Sequence, residues 1–167
     1  MRTPTRVGGH PIHPMLVVFP LGLWGFSFIC DLGFVATGNP SWQTAAYFAM
    51  GGGIVGAALA AIPGFVDGLF LRKSPLFRTV LTHMAFMVLA LTMFIASFLA
   101  RSMEAPHGMS LAISTIGIFA MLLGGWFGGD LVYRHGMGVE PPSQHRHPIL
   151  TAESRDEGGA ERIRRHA

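Results

Sequence analysis

The sequence predicts an all-α fold, a membrane-embedded four-helix bundle running up-down-up-down, and three observations carry that prediction. Half of the 167 residues are hydrophobic and only 13% are charged, with mean hydropathy +0.45; that balance is too apolar for a soluble domain of this length. Charge also avoids long stretches: between Pro14 and Leu71 only Asp31 and Asp67 are charged, and between Val80 and Asp130 only Arg101 and Glu104. Breaker clusters then separate the apolar stretches by short connections, so neighbouring helices must run antiparallel.

A spanning helix needs about 20 mainly apolar residues. Four segments qualify, at about 14–36, 44–70, 80–100 and 109–133. The first is too long for a signal-peptide core, lacks a small-x-small cleavage site and is followed by three more spans, so it is expected to be retained. TGNPS (37–41) joins it to the second, RKSP (72–75) links the middle pair and EAPHG (104–108) the last two. Residues 1–139 thus form the transmembrane domain. From 140 to 167 the chain turns polar and rich in Gly, Pro and charge, with nothing to bury, and a disordered cytoplasmic tail is expected.

The basic residues set the expected orientation. Arg2, Arg6, Arg72, Lys73, Arg78, Arg134 and five tail arginines share one side of a four-span bundle, against Arg101 alone on the other. Positive charge marks the cytoplasmic side, so both termini are expected there. The same distribution attributes the pI near 9.8 to the lipid bilayer as partner and not to nucleic acid. Cys30 is the single cysteine, which excludes an internal disulfide, a CxxC motif and a cysteine-held iron–sulfur cluster.

Two patterns inside the spans bear on packing. Gly52, Gly56, Ala60, Gly64 and Gly68 recur every four residues, a small-residue ribbon that lets a second backbone or a flat ligand approach closely. GFVD (64–67) and FGGD (127–130) also look alike, each following a span that opens on a histidine, His13 and His83. Two related helical hairpins, turned about an axis along the membrane normal, are expected, with equivalent polar residues at equal depth.

Topology collects a set of polar residues at one end. His10 and His13 precede the first span, Asp67 ends the second, His83 opens the third, and Asp130 and His135 close the fourth. Ionisable groups in spans are costly and mark functional sites. Taken singly, each has a bland role, a histidine among headgroups or an aspartate beside Arg72, Arg78 or Arg134. As a group they define a candidate cofactor site, with His10, His13, His83 and His135 as ligands and Asp67 and Asp130 as supporting groups or alternative metal ligands. His-Pro at 10–11 and 13–14 disfavours helix at both histidines, so an extended segment is expected before a helix starting at Pro14.

Three occupants fit such a set. Haem b asks for two imidazoles, an apolar slot and cations for its propionates, which Arg72, Lys73, Arg78 and Arg134 could supply. Zinc or non-haem iron would use mixed His and Asp ligands. With no cofactor at all, the cluster would tie helix ends together in a non-enzymatic scaffold or assembly subunit. No nucleophile–base pair, phosphate loop or dinucleotide fingerprint points to catalysis.

GHPIHP (9–14), the histidine of LTHMAF (81–86) and GGDLVYRHGMGV (128–139) together resemble the bacterial four-helix transmembrane family known as domain of unknown function 2231, over residues 6 to 139. The resemblance implies that His10, His13, His83 and His135 are motif histidines, and that Asp130 replaces a glutamate with shorter reach. Members joined to Rieske-type or cytochrome-like domains imply a redox setting. The expectation is therefore a haem b-binding redox carrier, sensor or subunit, served by a separate redox protein and able to form a homo-oligomer.

Overall fold

The computed structural model describes residues 4–139; the expected tail at 140–167 lies outside them. The described chain opens with a small antiparallel hairpin, β1 (Arg6–Val7) and β2 (His10–Pro11), pairing Val7 with His10. Its two-residue turn is Gly8-Gly9, both at positive φ, +57° and +85°, which glycine alone adopts without a steric cost. Helices follow as α1 (Ile12–Leu16), α2 (Val18–Thr37), α3 (Pro40–Phe70), α4 (Phe77–Ser102) and α5 (His107–Tyr133). α1 and α2 form one span, Ile12–Thr37, so four helices are long and apolar enough to cross a membrane.

One local expectation is corrected. His10 is extended before Pro11, but His13 is helical, in the first turn of α1. Pro14 is the third residue of that helix, where an N–H would have no intrahelical acceptor, so its absence costs little and the bias against helix at His13 is overridden. Pro20 acts differently. It withholds the N–H that Leu16 would accept, and α1 and α2 are separated at Val17.

The spans run a few residues beyond the apolar segments, because helix continues through polar residues such as Ser41, Gln43 and Arg78. Turn chemistry fixes the first reversal. Gly38 takes φ +69° and donates to Phe34 O, Asn39 accepts from Ser41 N, and Pro40 starts α3.

Packing is densest within two hairpins, α2 with α3 and α4 with α5; α3–α4 and α2–α5 contacts join them. The interior is small or polar: Ala46, Ala49, Ala60, Ala90, Ser27, Ser97, Ser110, Ser114, Asp31 and Asp67 are buried, around a few large residues led by Trp24, Phe94 and Met50. Phe26, Phe48, Ile62, Phe119 and Trp126 point outward. Such an arrangement suits lipid, where small residues allow close helices and polar groups turn inward.

The two hairpins are related residue by residue. In α1–α2, His13, Trp24, Ser27 and Asp31 have the spacing of His83, Phe94, Ser97 and Arg101 in α4. Each serine bonds the neighbouring helix at a matching point, Ser27 Oγ to Ala46 O at 2.9 Å and Ser97 Oγ to Ser110 O at 2.7 Å. Gly53 and Gly117 lie under Trp24 and Phe94 in the same way. This correspondence aligns Gly64 with Gly128, one residue off the expected match of GFVD with FGGD. Asp67 therefore corresponds to buried Leu131, and Asp130, partly exposed, to Val66; the carboxylates are not equivalent.

Candidate functional site

His13 and His83 meet at one end of the bundle, their ring centres 6.3 Å apart and their planes at 84°. Each is held the same way. His13 Nδ1 lies 2.8 Å from Ala60 O, and His83 Nδ1 2.8 Å from Gly124 O. A carbonyl only accepts, so both Nδ1 atoms carry a proton, and in the neutral form of each ring the lone pair lies on Nε2. Among the described residues neither Nε2 forms a hydrogen bond. A backbone carbonyl on one nitrogen is the support that metal-binding histidines ordinarily have.

Glycine makes room for both rings. A methyl at Gly64 would sit 2.6 Å from His13 Nδ1, and one at Gly128 would sit 3.0 Å from His83. The rest of the ribbon is occupied too: Gly52 faces Leu23, Gly56 faces Pro20 and Phe19, and Gly68 faces Met84 and Val80. The small-residue spacing thus serves close packing by the chain's own side chains.

The other predicted residues have partners of their own. His10 is exposed on β2, its Nδ1 3.0 Å from Gly8 O. Asp67 is buried and accepts from Thr5 N at 3.0 Å, fastening the N-terminal segment onto α3. Asp130 and His135 form a local group at the end of α5, with carboxylate contacts to Arg134 at 3.4 Å and His135 at 3.5 Å. Arg72, Lys73, Arg78 and Arg134 are exposed. No group of three or more His, Cys, Asp or Glu is arranged to hold a metal ion among the described residues.

Across the bundle, Trp24 stacks on Phe94 with ring centres 4.1 Å apart. Beyond them Arg101 grips Asp31 in a two-toothed ion pair, Nη1–Oδ1 2.7 Å and Nη2–Oδ2 2.6 Å, with Asp31 fully buried. Sequence reasoning missed these residues as a set. The repeated spacing H-x10-W-x2-S-x3-D and H-x10-F-x2-S-x3-R would have revealed them.

Fold and sequence together define a multi-pass, all-α membrane protein. The family model described as "Predicted membrane protein (DUF2231)" matches residues 9–141, and the chain belongs to that family. No curated protein and no solved structure matches the chain.

Proposed function

We propose that this protein is a haem b-binding redox carrier, sensor or subunit of the bacterial cytoplasmic membrane, in which His13 and His83 would hold the haem. The observation that carries this is the pair of adjacent histidines, each with Nδ1 tied to a carbonyl and Nε2 without a hydrogen bond among the described residues. Haem supplies four nitrogens itself and asks the protein for two, whereas zinc or non-haem iron would draw further ligands from beyond the pair. Imidazoles sharing one metal atom at about 2 Å have ring centres about 6 Å apart, comparable with the separation here. Haem would supply one-electron chemistry; the protein would hold the rings and exclude water. Seating a macrocycle requires the hairpins to part at this end; taken over whole helices, contacts between the hairpins are sparser than those within them. The Lys and Arg distribution supports an orientation with both termini in the cytoplasm.

A second reading has its own observation: each histidine fills a glycine notch and clamps a neighbouring helix, as a membrane scaffold would need. Reduced-minus-oxidised spectra of the purified protein, expressed with haem in supply, separate the two. Soret and α-band features lost in His13→Ala and His83→Ala support haem. A spectrum without them, with metal analysis also blank, leaves the clamp.

A further inference from the structure

At the opposite end from the histidine pair, a cavity of about 440 Å³ opens between the starts of α3 and α5 and the end of α4, lined by Gln43, Tyr47, Arg101, Glu104, His107 and Ser110 among others. Three buried polar atoms here have no hydrogen-bond partner among the described residues: Arg101 Nε, His107 Nε2 and Ser110 Oγ. Ser110 is 1% exposed and the Arg101 side chain 9%. All three can donate. Arg101 Nε–H is a donor by constitution, and its Nη atoms are engaged by Asp31. The Gln43 side-chain nitrogen lies 3.3 Å from His107 Nδ1; if that amide donates, the proton of neutral His107 sits on Nε2. Ser110 Oγ–H rotates to suit. The His107 ring is steadied by an edge contact with Phe34 at 4.6 Å.

Three unpartnered donors on residues that line one cavity call for a ligand that brings acceptors. Charge narrows the class. Asp31 balances Arg101 at hydrogen-bond distance, and the Glu104 carboxylate lines the same cavity, so a small anion gains no net positive charge there. The cavity lies where the apolar spans end, with Tyr47 on its wall and its ring stacked on Phe98 at 4.5 Å, within reach of a molecule dissolved in the bilayer. We propose that it binds a neutral, membrane-borne molecule through carbonyl oxygens, as a quinone ring or a lipid ester presents them. This site is separate from the histidine pair and does not depend on it.

The test uses full-length protein in lipid-depleting detergent, titrated calorimetrically with a short-chain alkyl benzoquinone, a diester phosphatidylcholine and its diether analogue, which lacks carbonyls. The expected result is saturable binding of the quinone or the diester, whichever is the natural source, and none of the diether. The Kd should rise about tenfold or more in Ser110→Ala/His107→Phe, two lost hydrogen bonds. Thr92→Ala, at an exposed residue whose hydroxyl bonds Val88 O of its own helix, is a control outside the cavity lining, and thermal melting establishes that each variant is folded. Equal binding of diester and diether, competition by inorganic phosphate, or no binding by any probe, which leaves the donors to water, each overturns the proposal.

Discussion

The first hairpin (α1–α3) and the second (α4–α5) repeat one plan, and they differ at informative places. Residues that are identical in the two halves make their hydrogen bonds inside their own half: His13 and His83 bond the partner helix, as do Ser27 and Ser97, while the two imidazoles also meet edge to face across the halves. Residues that differ act between the halves, as Asp31 meets Arg101 and Trp24 stacks on Phe94. Repeated hydrogen bonds build each hairpin; the divergent pairs, together with the two imidazoles, join one hairpin to the other.

The largest break in this comparison is expected at the ion pair. Arg101→Met leaves the Asp31 carboxylate buried and alone, and should cost about 3–5 kcal/mol, because the desolvated charge loses its counterpart. The exchange Asp31→Arg with Arg101→Asp should recover a substantial part if the positions are equivalent by the repeat. Unfolding in mixed micelles measures both; an exchange no better than the single variant would sink the equivalence.

Next come the glycine notches. Gly64→Ala places a methyl 2.6 Å from His13, and Gly128→Ala one 3.0 Å from His83. Overpacking should cost about 1–3 kcal/mol at Gly64 and less at Gly128. Equal melting temperatures for the two variants would show that the rings yield freely.

A double-mutant cycle on His13→Leu and His83→Leu sharpens the picture further. Loss of one interhelical hydrogen bond in a membrane costs about 0.6 kcal/mol, so each single change should be modest. If each ring serves only its own hairpin, the effects add; a coupling above about 0.5 kcal/mol shows the rings sharing something across the bundle. The smallest effect is expected at the serines. Ser27→Ala and Ser97→Ala should each lose about 0.6 kcal/mol, and should add in the double variant, read by the same unfolding assay.

The sequence shows the spans clearly because lipid imposes length and composition on them, and TGNPS carries its helix cap and stop in plain sight. It shows the repeat less well. Matching GFVD to FGGD followed the visible carboxylates, whereas the true register follows buried glycines and alanines whose neighbours only packing reveals. Asp67 and Asp130 look alike in the chain, yet one secures Thr5 and the other sits beside Arg134 and His135, since a one-residue shift turns a side chain by about 100° around a helix. The sequence singles out His13 without showing its helical setting. The proline rule holds in general but weakens in a helix's first turn, a position known only once the start at Ile12 is fixed.

The Asp31–Arg101 pair also bears on how the polypeptide sorts itself as it enters the bilayer. Two copies of the first hairpin docked on each other would oppose aspartate to aspartate, and two copies of the second arginine to arginine. Either mistake buries like charges. Only the union of unlike halves neutralises both, so the pair works as a matching key: each hairpin rejects its own duplicate and accepts its sister.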